Sequence, residues 1–158
     1  MRSMLLHLCL CLTVCSGAEI YGKPVQSNDK GTLLWAIFEG YGAKYGLLPS
    51  AEELAPLRKQ FGPANRLLDF PYRIVLCAKL NRLWWGRHEG NLVLSAFGVH
   101  LATDAMLKEV EGMEQRGEVK FSDEAERSKF FAYYKTYRGD GVLTGEKARK
   151  LLAQDFPK

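Results

Sequence analysis

Cysteine is scarce where it would matter. Of the four in the 158-residue chain, Cys9, Cys11 and Cys15 lie in the first fifteen residues and only Cys77 lies beyond them. A disulfide framework within the body of the chain is therefore excluded. Runs of one charge are missing too. The basic residues are interleaved with acids and never reach the five or six like charges of a nucleic-acid tail, so a nucleic-acid partner is not expected. No Gly-rich phosphate loop, nucleophile elbow or paired-carboxylate motif occurs. No internal repeat or low-complexity tract is present. Alternating strand-length patterns are also lacking, which predicts an all-α fold.

The N-terminus has its own logic. Arg2, an apolar run from Leu5 to Val14, and Ser16-Gly17-Ala18 match the three regions of a secretory signal cleaved after Ala18. The run is too short to span a bilayer as a helix. Residues 1–18 are expected to be removed, leaving residues 19–158 as one helical domain, secreted or periplasmic. Without Arg2, 21 Lys and Arg face 18 Asp and Glu, a net charge near +3. A chain of that size buries roughly two-thirds of its unfolded surface and needs no metal or disulfide to fold.

One stretch organises the rest. From Pro71, with Asp69 as a cap, to Gly86 and Gly90 the sequence reads as a helix that is apolar around most of its circumference. Lys79, Arg82 and Gly86 form its only polar face, while Ile74, Leu76, Cys77, Ala78, Leu80, Leu83, Trp84 and Trp85 cover the remainder. Such a helix is normally enclosed on several sides, so it is expected to be the core. Cys77 reads as a small buried hydrophobe within it.

About six helices around this one are expected, after a short extended piece over Glu19–Val25 that Gly22 and Pro24 limit to a turn or edge strand. Ser27, Asn28 or Asp29 can cap a helix striped by Leu33, Leu34, Ile37, Phe38, Tyr41 and Tyr45 and ended by Gly46. Gly40 and Gly42 within it are there for close packing, or leave it dependent on its neighbours. Ser50 and Glu53 form a capping box for the next helix, which Pro56 should kink or shorten. Residues 91–98 read equally as strand or as a segment between helices. Ala102 to Met113 return to helical spacing. Ser122 is expected to cap a helix carrying Phe130, Tyr134 and Tyr137, and Thr144 to start a last short one.

Candidate sites are few. Asp140-Gly141 looks like half a calcium loop, but that alignment puts Thr136, Arg138 and Lys147 where carboxylates belong. A helix–turn–helix joint is expected there, with no metal and no cofactor. His88, Glu89 and His100 are the remaining acid–base candidates, the basis of an alternative reading as a small secreted enzyme. The surplus of aromatic residues points elsewhere. Trp35, Trp84, Trp85 and Phe97 are the candidate lining of an apolar surface for extended or unfolded polypeptide. A subunit that folds against a dedicated partner is a further alternative.

Tyr21-Gly22-Lys23-Pro24-Val25 behind a signal, an amphipathic helix, and then Tyr45-Gly46-Leu47-Leu48-Pro49-Ser50-Ala51-Glu52-Glu53-Leu54 resemble the N-terminal helical domain of SurA-type periplasmic chaperones and parvulin-type prolyl isomerases. Lys79 to Trp84, and then Glu89 to Val93, look like the next helix of such proteins and the tract after it. The resemblance extends over about residues 20–135. It implies a polypeptide-binding helical domain. The separate sheet-containing catalytic domain of parvulins has no counterpart here, so the resemblance implies no isomerase activity.

Overall fold

The computed structural model describes residues 17–27, 29–62, 69–95 and 99–154. It is mostly helical, but not all-α: among the described residues five three-residue strands form two small sheets beside six helices. Strands so short carry no alternation that a sequence pattern could reveal.

The first sheet begins with a hairpin, β1 (Ala18–Ile20) and β2 (Lys23–Val25). Tyr21 and Gly22 join them at φ 48° and 77°, the two positive angles of a mirror-image tight turn. Ile20 faces Lys23 as the closing pair, which makes Glu19 and Pro24 a non-hydrogen-bonded pair. The missing N–H of Pro24 therefore falls on the outer edge and costs the ladder nothing. β1 also pairs with β4 (Val119–Phe121), so β1 is the central strand.

The helices follow local rules. α1 (Lys30–Tyr45) starts at Asp29, whose carboxylate accepts the Thr32 N–H at 2.8 Å, and ends at Gly46 in the left-handed region. It buries Leu33, Leu34, Ile37, Phe38 and Tyr41, but Tyr45, expected on the same stripe, is 45% exposed. α2 (Ala51–Phe61) opens with both bonds of the Ser50–Glu53 capping box and runs on through Pro56 to its end at Gly62. α3 (Phe70–His88) is the core helix, capped by Asp69, with Val75, Leu76, Cys77, Leu80, Trp84 and Trp85 buried. It touches α1, α2, α4 (Thr103–Gln115) and α6 (Gly145–Gln154). α5 (Glu124–Thr136) packs on α4 and β4, and its cap is Asp123 rather than Ser122. β3 (Leu92–Leu94) resolves part of the ambiguous segment as strand. It pairs with β5 (Gly141–Leu143), so the expected helix–turn–helix joint carries a strand instead.

One buried polar group holds the core to the loop that follows it. Asn81 accepts the Ala102 N–H at 2.9 Å and donates to the His100 carbonyl, to which the Cys77 thiol also donates at 2.9 Å. An amide in an otherwise apolar helix is thus satisfied on both ends, as burial requires.

Two packing details test this arrangement. A Cβ at Gly40 would lie 2.4 Å from the Tyr21 ring, so the hairpin lies directly on α1 at that glycine. Gly40→Ala gains about 1 kcal/mol of helix propensity but forces the ring off its seat, and a net destabilisation of about 1–2 kcal/mol is expected in urea unfolding. A stabilised variant would mean that the hairpin does not pack there. The Glu53 carboxyl is held below its ordinary range by the Ser50 N–H, with the Lys79 ammonium 3.0 Å away adding to it. A depressed carboxyl contributes stability that is complete above its unfolded pKa and disappears as pH falls through its folded value. Glu53→Gln is therefore expected to be less stable at neutral pH and to lose less than the parent between about pH 5 and pH 3. Equal acid sensitivity would contradict this role.

Candidate functional site

Where the structure puts the tryptophans decides where a binding surface can be. Trp84 is 0% and Trp85 6% exposed. Trp84 is packed edge-on against Phe38 and Tyr41, and Trp85 donates its ring N–H to the Gly90 carbonyl at 3.2 Å. The expectation that these two present apolar surface to a partner is corrected. A helix apolar on nearly every side buries its large rings when neighbours enclose it, and α3 is so enclosed. Phe97 lies outside the described residues. Of the three tryptophans, Trp35 lies at the surface in part, with the Arg73 guanidinium over its ring at 4.5 Å from the ring centre.

Around Trp35 the surface is concave. The buried stripe of α1 faces the core, and its other side presents Thr32, Trp35, Ala36, Glu39, Gly40 and Ala43 at three- and four-residue spacing. Three depressions lie along that side. One of about 720 Å³ runs between the hairpin and the second half of α1, floored by Ala36, Gly40 and Ala43 and walled by Ile20, Val25 and Leu48. A second of about 440 Å³ shares Ala36 and Glu39 with the first and adds Thr32, Trp35 and Arg73. A third of about 410 Å³ shares Trp35 and Arg73 with the second and opens onto Tyr133 and Tyr137 of the α5 end. The shared residues make the three one trough along α1. Small residues form its floor, so depth comes from what α1 lacks.

The trough has two different ends. At the hairpin end the walls are aliphatic, and Lys44 extends over the Tyr21 ring to pair with Glu118, which Arg116 also holds at 2.9 Å. Burial pushes the Glu118 carboxyl up, but hydrogen bonds from Arg116 and Lys44 outweigh it and leave the group below its ordinary range. The Tyr21 hydroxyl is buried without a hydrogen-bond partner, and its acidity is weakened first by burial and then by Glu118. At the other end the walls are aromatic. Tyr133, 44% exposed, stacks on Tyr137. The Lys30 ammonium lies 5.3 Å from its ring centre.

The acid–base candidates lie elsewhere and have separate partners. His88 Nε2 is 2.9 Å from the carboxylate of Glu109, a buried acid that also accepts from Arg87 at 3.1 Å. Glu89 pairs with Arg149 at 3.2 Å. His100 Nδ1 accepts the Ser95 N–H at 3.3 Å. Glu109 falls on the helical stripe of Met106, Val110 and Met113 in the sequence and is buried there, but its meeting with Arg87 and His88 could not be read from spacing. Among the described residues no three His, Cys, Asp or Glu side chains gather as a metal's ligands would. In the half calcium loop, Arg138 donates to the carbonyls of Lys135 and Tyr137. No helix among the described residues is long and apolar enough to cross a membrane.

No family model matches the chain, and no curated protein or solved structure is significantly similar to it.

This placement predicts a simple optical result. Iodide should quench only the Trp35 share of the tryptophan emission in the folded protein, and Trp35→Phe should abolish quenching while leaving the emission of Trp84 and Trp85. Substantial quenching in Trp35→Phe would show that the core tryptophans reach solvent.

Proposed function

We propose that this is an exported protein, secreted or periplasmic, that holds extended or unfolded polypeptide in the trough along α1 and releases it unchanged. The observation that carries the reading is the continuity of that trough. Three depressions linked by shared residues follow a helix of 16 residues, a run of about 24 Å at 1.5 Å per residue. An extended chain rises about 3.3 Å per residue, so about seven residues fit along it. The trough is open and only shallowly enclosed, which suits backbone passing over small residues better than a compact small molecule held on all sides. Its small floor residues Ala36 and Ala43, on either side of the Tyr21 ring that covers Gly40, allow close approach, while Leu48, Trp35 and Tyr133 supply apolar area for side chains. The resemblance read in Tyr21–Val25 and Tyr45–Leu54 to the helical domain of SurA-type chaperones, one of sequence pattern alone, is in keeping with this reading. No cofactor is needed for such work.

The test uses fluorescence anisotropy with a labelled, unstructured apolar peptide, and light scattering with an unfolded outer-membrane protein as client. Ala36→Arg and Ala43→Arg place a long charged side chain on the trough floor from half-buried and exposed positions, so the fold is expected to survive them. Each should weaken peptide binding by about tenfold or more, equivalent to about 1.4 kcal/mol. The parent should suppress client aggregation at stoichiometric amounts, and the variants should not. No suppression by the parent at about tenfold excess, or unchanged affinity in both variants, would count against the proposal.

A further inference from the structure

The aromatic end of the trough has a chemistry of its own, and resting on the polypeptide reading above, we infer that it selects a carboxylate carried next to an aromatic ring in the bound chain. Two cations border that end: Arg73, which lines the depression and lies over Trp35 at 4.5 Å, and Lys30, 5.3 Å from the centre of the Tyr133 ring. Neither has a carboxylate partner among the described residues, whereas the cations Lys44, Lys79, Arg87, Arg116 and Arg127 are each paired with an acid. Of the acids lining these depressions, Asp29 is engaged by the Thr32 N–H and hydroxyl, at 2.8 and 3.0 Å, and the Thr32 N–H holds its carboxyl below the ordinary range. It caps α1 and does not neutralise the guanidinium.

A guanidinium attracted to an indole face spends none of its N–H groups on that contact, so they are left for an acceptor at the ring's edge. A carboxylate is the acceptor that its fork matches with two parallel bonds. Beside it, Tyr133 and Tyr137 offer ring faces and edges to a second aromatic group in a depression of about 410 Å³. One helical turn further along, Glu39 gives the trough the opposite charge. A bound chain is therefore oriented, with its acidic group toward α5 and its apolar residues toward the hairpin. The carboxylate can be an Asp or Glu side chain or the end of a chain, since both present the same two oxygens.

Three labelled peptides of one apolar, unstructured sequence separate these sources. The first has Phe followed by Glu and an amidated end, the second Phe followed by Gln and an amidated end, and the third the Gln sequence with a free C-terminal carboxylate. At low salt the first or third is expected to bind about fivefold tighter than the second, the gain of one exposed charge-assisted pair. Whichever shows the preference identifies the source. Arg73→Gln should remove that preference, with the affinity of the neutral peptide for the same variant as its reference, and an unchanged far-ultraviolet circular dichroism spectrum shows that the variant is folded. Arg73→Lys should keep only part of it. Equal affinities for all three peptides, or a preference that survives in Arg73→Gln, would overturn the inference while leaving the trough intact. If the parent binds none of them, the polypeptide reading falls with it.

Discussion

The constraint that shapes this molecule is the apolar circumference of α3. A 19-residue helix with Val75, Leu76, Leu80 and Trp84 fully buried has to be covered on nearly every side. At about 25 cal/mol per Å² of apolar surface, leaving even one of its large rings in water would forfeit a sizeable part of a domain's net stability. α1, α2, α4 and α6 supply that cover. Each covering helix commits one side to α3 and keeps the other for something else. On α6 the other side is largely polar, and α4 turns its other side in part to α5. On α1 it is a line of small residues flanked by a hairpin and by aromatic side chains, and there the trough forms.

The hairpin makes this line a groove rather than a flat surface. Tyr21, set in the turn at positive φ, lays its ring across Gly40, and Ile20 and Val25 raise one wall beside α1. Two glycines that weaken α1 as an isolated helix thus have separate uses. Gly40 receives Tyr21, and Gly42 lets Leu48 and Leu76 approach the helix axis. The turn chemistry of Tyr21-Gly22, the edge placement of Pro24 and the absence of a side chain at Gly40 agree with one another, as expected of a sequence whose local and global preferences coincide.

Much of the helical scaffold was legible in the sequence because its signals are local. The Ser50–Glu53 box, the Asp69–Pro71 start, the Gly46 stop and the greasiness of α3 act within a turn or two of chain. The strands were illegible for the opposite reason: three residues of Val119–Phe121 or Gly141–Leu143 become strand only through partners about a hundred and about fifty residues away. A surplus of aromatic residues says nothing about which ones face water, and a core helix is the element that most demands Trp84 and Trp85. Of the site, Trp35 could be named. Its neighbours Arg73, Tyr133 and Tyr137 come from two other helices, so their meeting could not be read from spacing.

The central claim is that extended polypeptide lies along the outer side of α1. Backbone amide chemical shifts during titration with an unlabelled apolar peptide test it most directly. Changes are expected to concentrate at Thr32, Trp35, Ala36, Glu39, Gly40 and Ala43 and at Tyr72 and Arg73 of α3, which also line the trough, with the α4 and α6 amides nearly still. Changes centred on His88, Glu109 and the outer side of α4, or no saturable change anywhere, would contradict it.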